Sequence, residues 1–313
     1  MNEQAPSKTA VSVPTSSVFS SLSAPVLLAT DGTREAAGAV AVGASLARAR
    51  AAVLRMITVV EPRSYPFAGS ESEPAPASDS DDQATESKLR ASVTAQITAF
   101  LGGALAREVH FARGRVVPTI VAESRQAGAG LILLGLHPHN ILARLAGEET
   151  ALRVARTAGL PVLCVVPRLQ SLPRRIIVAV DFSPASTRAA REAVCLAPEG
   201  ATIVLAHVRP PGTGKDDDGL RAHYALGVGD ALTRLQTGLP KDARVTVETV
   251  TLEGEPGSEL LALAERSGAE LIALGTHRHG FVGRLVLGSV VMELLRAASV
   301  SVFIVPPSDK DDR

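Results

Sequence analysis

The sequence has few aromatic residues and no net charge, and both features argue against certain classes of binding partner. Aromatic residues make up 3% of the 313 residues, Trp is absent, and 32 basic residues balance 32 acidic ones. Neither half is strongly basic, because residues 1–170 carry 16 basic and 14 acidic side chains. Nucleic-acid-binding proteins usually combine a basic surface with aromatic stacking residues, so we expect no nucleic-acid partner.

Cysteines and long apolar runs are also scarce. Cys164 and Cys195 both lie in apolar runs, which predicts buried thiols rather than a disulfide. The most apolar stretch, residues 36–60, is interrupted by three arginines, so we expect no membrane span. Residues 1–24 are rich in Ser, Thr, Ala and Pro and lack the apolar core of a signal peptide. We therefore expect a cytoplasmic protein with a flexible N-terminal tail over residues 1–24.

The sequence contains an internal repeat. Residues 131–148 and 271–288 align without a gap, and eight of the 18 pairs are identical. We predict one domain over 25–168, a second over 169–306, and a C-terminal tail over 307–313, each domain being large enough to bury its own core. The repeats differ in length mainly at one loop. In the first domain this loop, residues 62–87, is acidic and of low complexity, and we predict that it is disordered.

Both repeats alternate apolar strands with helices. This order predicts two tandem doubly wound α/β domains, each with a five-stranded, mainly parallel sheet. Ligands bind at the carboxyl ends of the strands in such sheets. Asp31 and Asp181 follow the first strand of each repeat, and Gly135 and Gly275 end the fourth, so these residues mark the candidate sites.

The second repeat has the better candidate site. Asp181 could accept hydrogen bonds from a ribose or a base, or it could simply cap the turn before Ser183 and Pro184, which resemble a helix N-cap and first residue. Gly275 would permit a sharp turn, and Gly288 and Ser289 would open the last helix, where free N–H groups favour an anion. An ordinary N-cap explains Ser289 alone, but not the spaced array.

These motifs resemble the universal stress protein family, specifically its tandem two-domain members. Its nucleotide-binding branch carries Gly-x2-Gly-x9-Gly-[Ser/Thr], which Gly275, Gly288 and Ser289 match, whereas Arg278 replaces the second glycine. The resemblance covers residues 25–306. It implies a Rossmann-like fold, a role in the stress response, and binding of ATP or a related adenine nucleotide with or without Mg²⁺. The site residues that it implies are Asp181, Val208, Gly275, Arg278, Gly288, Ser289 and Val290.

Two departures from the family pattern matter. Arg278 could strain or fill the site, or its guanidinium could pair with a terminal phosphate. In the first repeat, Pro138 takes the place of Arg278, and Glu148 and Glu149 stand where the second repeat has Gly288 and Ser289. A carboxylate ~4 Å from a phosphate charge costs about 4 kcal/mol at an effective dielectric of 20. We therefore predict that the first domain does not bind ATP in the family mode.

Other motifs suggest weaker functions. The paired histidines 137 and 139, and 277 and 279, lack further ligands of metal-binding spacing, so we predict solvated histidines and no metal site. Residues 212–215 form only an incomplete P-loop. The acidic runs 79–82 and 216–218 are interpreted as solvated loop charge.

We predict no catalytic residues, and at most slow ATP hydrolysis or autophosphorylation. The final strands 161–166 and 300–305 are β-branched, and in the family the last strand is a common dimerisation element, so we expect an intrachain pseudo-dimer. A homodimer and unknown protein partners stay open. The alternative function is a nucleotide-independent adaptor or scaffold acting through edge strands and loops; an enzyme of a related nucleotide-hydrolysing or nucleotidyl-transfer fold is a weaker third option.

Overall fold

The fold was analysed in a computed structural model. It describes residues 24–61, 79–136, 147–209, 218–240, 245–278, 285–286, 288–297 and 299–307. The predictions of a flexible tail before residue 24, a C-terminal tail beyond residue 307 and a disordered loop over 62–78 lie outside these ranges, as do the loop part of the second acidic run, residues 216–217, and three of the paired histidines: 137, 139 and 279.

The first repeat forms five strands and five helices among the described residues. Its strands are β1 (Val26–Ala29), β2 (Leu54–Val60), β3 (His110–Arg113), β4 (Leu131–Gly135) and β5 (Val162–Val165). Its helices are α1 (Ala37–Arg50), α2 (Asp79–Leu101), α3 (Gly103–Ala106), α4 (Val116–Gln126) and α5 (Gly147–Ala158).

The second repeat has the same order of main strands and helices, and it contains a hairpin whose counterpart in the first repeat, residues 137–146, lies outside the described ranges. Its strands are β6 (Arg175–Ala179), β7 (Ala201–Arg209), β8 (Val245–Glu253), β9 (Leu271–Gly275), β10 (His277–Arg278), β11 (Leu285–Val286) and β12 (Ser301–Val305). Its helices are α6 (Pro184–Leu196), α7 (Asp218–Gly238), α8 (Pro256–Ser267) and α9 (Ser289–Ala297). The antiparallel pair β10 and β11 lies where the sequence predicted only a loop.

The two repeats build one ten-stranded sheet in the order β3-β2-β1-β4-β5-β12-β9-β6-β7-β8. Within each half all neighbouring strands are parallel, and the halves meet through antiparallel pairing of β5 with β12. The α/β fold class with tandem Rossmann-like halves is confirmed. The inner strands of both halves are apolar and mostly buried, as expected when helices cover both faces of a sheet, whereas the edge strands β3 and β8 are largely exposed or half-buried.

The junction of the halves explains why the last strand of each repeat is so apolar. Every residue of β5 and of β12 is buried, and Cys164 lies opposite Val302 in the ladder. The intrachain pairing expected of these strands is therefore present. Burial raises the pKa of the Cys164 thiol to about 12, so this thiol stays protonated. Cys195 is only half-buried, so full burial was a wrong prediction for that residue.

Helix α2 corrects the predicted loop over 62–87, which is wrong from Asp79 onward. Acidic residues favour the N-terminal end of a helix, because the helix dipole is positive there, so the acidic run 79–82 is compatible with a helix start. One turn further on, Glu86 accepts hydrogen bonds from Arg90 at 2.8 Å and Arg113 at 2.5 Å. These two guanidinium groups hold the pKa of Glu86 below its usual value. Low apolar content made this segment look unable to pack, whereas ion pairs stabilise it.

No helix in the described part of the chain is both long enough and apolar enough to span a membrane.

Candidate functional site

The strand register brings three of the predicted site residues together at the carboxyl ends of neighbouring strands. Ala179 of β6 lies opposite Ala206 of β7 and Leu274 of β9. Parallel strands advance together, so Asp181, Val208 and Gly275 all emerge at the carboxyl edge just beyond this level. Strands β7 and β9 flank β6 on opposite sides, which is the topological switch point where doubly wound sheets bind ligands.

Asp181 has a structural role in the turn after β6. Its Oδ1 accepts a hydrogen bond from the Ser183 backbone N–H at 3.0 Å, and the Ser183 hydroxyl accepts one from the Ser186 N–H at 3.1 Å. Ser183 is thus the N-cap of α6, with Pro184 next, as predicted. Asp31 makes the same turn in the first domain, where its Oδ1 accepts from the Thr33 N–H at 3.0 Å. Turn capping therefore gives Asp181 a structural role. The residue is nevertheless exposed, so it is also accessible to a ligand.

Phe182 follows Asp181 and was missed in the sequence. Its φ is +63°, a left-handed conformation that it shares with Gly32 at the matching position of the first domain, where φ is +70°. For a residue with a side chain this conformation costs roughly 1–2 kcal/mol. The ring is 38% exposed and its centroid lies 4.7 Å from the His207 ring, with 37° between the planes. In the alignment of the two repeats Phe182 lies opposite Gly32, and this difference is the sequence signal that could have identified Phe182.

His207 is fixed beneath this ring. It is 8% exposed, and its Nδ1 lies 2.8 Å from the carbonyl oxygen of Val180. Because a carbonyl only accepts, Nδ1 carries the hydrogen of this bond. The next residue, Val208, is half-buried against the core. The carboxyl ends of β6 and β7 therefore present an aromatic and aliphatic surface.

Gly275 is required by packing rather than by a sharp turn, which corrects the predicted reason for it. It is part of β9, and a Cβ there would lie 2.3 Å from the carbonyl carbon of Ala185 in α6. Gly135 in the first domain has the same role, but with a looser contact of 2.9 Å to the Ala36 Cα. Both glycines let the first turn of a helix approach the end of a strand closely.

Thr276, directly after Gly275, has a buried hydroxyl with no hydrogen-bond partner among the described residues. The residue is 3% exposed, and its Oγ1 is the one buried, unpaired side-chain atom found among the described residues. Leaving such a group unpaired costs about 1–3 kcal/mol. The matching residue of the first domain is Leu136, which is 1% exposed and has no polar side-chain group.

The remaining residues of the motif lie at the start of α9. Gly288 precedes the helix and its carbonyl accepts from the Met292 N–H at 3.2 Å. A Cβ at Gly288 would meet nothing within 4 Å, Gly288 and Ser289 are exposed, and Val290 packs partly against the core. No acidic residue lies in the first turn of α9. In α5 the corresponding turn holds Glu148 and Glu149.

Arg278 lies in β10, opposite Leu285 of β11. Its backbone is therefore extended, so the predicted conflict between arginine and a left-handed glycine position does not arise. Of the paired histidines, His277 shares this strand. In the described ranges no three His, Cys, Asp or Glu side chains cluster as metal ligands would.

The matching cleft of the first domain is closed by α2. Ser92 donates from its hydroxyl to the Gly32 carbonyl at 2.7 Å, and Gln96 donates to the Thr33 carbonyl at 2.6 Å. The Gln96 amide oxygen also accepts from the Thr30 hydroxyl at 2.7 Å. A Cβ on Gly32 would lie 2.7 Å from the Val93 nitrogen. A phenylalanine like Phe182 could not fit in this domain.

Comparison with known proteins agrees with this architecture. Residues 24–166 and 173–306 each match the universal stress protein family. A universal stress protein of Methanocaldococcus jannaschii is 27% identical over 148 residues, which is 45% of this chain and 87% of that protein. One from Mycobacterium tuberculosis is 28% identical over 60% of this chain, and the match spans 65% of the relative. The crystal structure of a universal stress protein from Archaeoglobus fulgidus has a TM-score of 0.61 at 19% identity and covers 93% of this chain and 100% of its own.

Proposed function

Because the chain belongs to the universal stress protein family, we propose that its second domain binds an adenine nucleotide, ATP or a close relative, as a sensing module in the stress response. The nucleoside would lie at the carboxyl edge of β6 and β7, beside Asp181 and Val208. The phosphates would lie against the N-terminal end of α9. The first domain would bind no nucleotide in this mode.

The start of α9 is the observation that carries the proposal. Its first N–H groups have no partner within the helix, and the helix dipole favours an anion there. Gly288 leaves room for a ligand, since even a Cβ there would meet no atom of the described residues within 4 Å. Ser289 would add a hydroxyl donor, and Val290 would contribute its N–H. Acidic residues are absent from this turn, so nothing in it repels a phosphate.

Thr276 provides a second, independent reason. Its buried hydroxyl lacks a partner among the described residues, although it follows directly on the strand that ends at the site. A ligand oxygen or a water held by a ligand would satisfy it. The first domain has Leu136 instead, which supports the proposal that this domain has no such site.

Arg278 and Mg²⁺ are the finer parts of the proposal. Arg278 lies in β10, within the connection between β9 and α9, from where its guanidinium would pair with a terminal phosphate. When bound, Mg²⁺ would neutralise phosphate charge. An Arg278→Gly variant with unchanged affinity would remove Arg278 from the site.

A charge placed at Gly288 tests the proposal. Gly288→Glu should weaken ATP binding by about a thousandfold, because a carboxylate would face the phosphates. Gly288→Gln, of nearly the same size and neutral, is the matched control and should lose far less. Equal loss in both variants would show that bulk rather than charge matters. Unchanged binding in Gly288→Glu would place the nucleotide elsewhere, and a folded wild type that binds no nucleotide would favour the adaptor function.

A further inference from the structure

Phe182 combines three unusual properties at the edge of the proposed site. It is one of two residues other than glycine with a positive φ in the described part of the chain. It is also one of three large apolar side chains exposed there, at 38%. A bulky residue rarely adopts this conformation, and an exposed ring contributes little to folding, so packing alone does not explain the residue.

The surroundings give the ring a fixed orientation. Its face lies 4.7 Å, centre to centre, from the His207 ring, which is itself held by the Val180 carbonyl at 2.8 Å. Both rings sit at the carboxyl ends of neighbouring strands: Phe182 lies two residues after Val180, and His207 directly precedes Val208. The exposed part of the Phe182 ring is therefore an aromatic surface beside Asp181 and Val208.

The first domain shows that the fold needs no ring here. Gly32 adopts the same φ without a side chain, and α2 fills the space above it through Ser92 and Val93. In the second domain α7 occupies the same place in the chain order. Cβ atoms at its Gly227 and Gly229 would meet nothing within 4 Å. Phe182 itself is 38% exposed, so part of its surface is accessible to a ligand.

We infer that Phe182, supported by His207, is the platform on which the base of the nucleotide stacks, and that it determines the selectivity of the second domain for ligands with a planar base. This inference rests on the proposed function and assigns its base contact. Stacking of a base on an aromatic side chain needs no specific hydrogen bond, so the platform would favour planar bases as a class. The strained backbone holds the ring at the mouth of the cleft.

The test compares ligands with and without a base. For Phe182→Leu we expect ATP affinity to fall about tenfold or more, while affinity for inorganic tripolyphosphate stays within twofold of wild type. Phe182→Tyr keeps the ring and should retain ATP affinity. Phe182→Gly, which copies Gly32, should weaken ATP binding in the same way while raising the melting temperature, because a glycine accepts this φ without strain.

Several results would overturn the inference. Unchanged or tighter ATP binding in Phe182→Leu and Phe182→Gly would show that the ring does not contact the base or fills its place. Equal weakening of ATP and tripolyphosphate would indicate a general disturbance of the site. If wild type binds tripolyphosphate and ATP equally well, the base contributes nothing and Phe182 has no such role. A wild type that binds neither ligand would instead overturn the proposed function, and this inference with it.

Discussion

The two domains have the same backbone arrangement at the carboxyl ends of their strands, but different side chains surround the cleft there. In the first, α2 bonds through Ser92 and Gln96 to the loop after β1, and Glu148 and Glu149 stand in the first turn of α5. In the second, Phe182 occupies the corresponding loop position, Gly288 precedes α9, and the first turn of α9 contains no acidic residue. The difference teaches that a duplicated fold can keep its strand-end glycines for packing in both copies, and it is the basis of our proposal that only the second copy binds an anion.

The strand-end glycines should give the largest effect and show whether packing alone explains them. Gly275→Ala puts a methyl group 2.3 Å from the Ala185 carbonyl carbon, which has no freedom to move aside, so we expect a loss of about 3 kcal/mol in the free energy of unfolding. Gly135→Ala meets the Ala36 Cα at 2.9 Å and should cost less. Urea denaturation of both variants measures this. Equal, small losses would refute the packing explanation.

The closure of the first cleft depends on Gln96, which makes two hydrogen bonds to the loop after β1. Gln96→Leu should lower the free energy of unfolding by about 2 kcal/mol and speed hydrogen exchange at residues 31–33. Gln236→Leu is the matched control, since Gln236 bonds a strand carbonyl at Val247 and not a site loop. If exchange at residues 31–33 stays slow in Gln96→Leu, α2 does not hold this loop.

The Thr276 hydroxyl has no partner among the described residues, so its removal should raise the stability of the protein and lower its affinity for ATP. Thr276→Val removes the buried polar group at nearly constant volume, so it should stabilise the ligand-free protein by about 1 kcal/mol and weaken ATP binding. Thr58→Val is the control, because the buried Thr58 hydroxyl donates to the Thr30 carbonyl at 2.8 Å and its loss should destabilise. Melting temperature and ATP affinity are the readouts. A destabilised Thr276→Val would mean that the hydroxyl already has a partner.

Local sequence signals predicted much of the fold. Helix α6 runs from Pro184 to Leu196, as expected from the cap at Ser183, and β9 and α9 also have the predicted bounds. These elements combine a strong apolar pattern with a clear start signal. The β-branched strands at the ends of the repeats correctly indicated the β5–β12 pairing. The strand-end position of Asp181 and Gly275 followed from the order of the elements alone, whereas Val208 was named from the family resemblance.

The features that were missed depend on contacts distant in sequence. Glu86 in α2 pairs with Arg113, 27 residues away, and closure of the first cleft joins residues at least 60 positions apart. The left-handed conformation of Phe182 could be suspected from the sequence only by aligning this residue with Gly32 of the first repeat. The unpaired Thr276 hydroxyl is a property of its environment, and a sequence does not contain it.

The number of nucleotides bound per chain tests the central claim most directly. Calorimetric titration of the wild-type protein with ATP and Mg²⁺ should give one site per chain, and Gly288→Glu should abolish that site. Two equivalent sites per chain in the wild type would contradict the asymmetry between the domains, and no site in a folded, nucleotide-free chain would contradict nucleotide binding altogether.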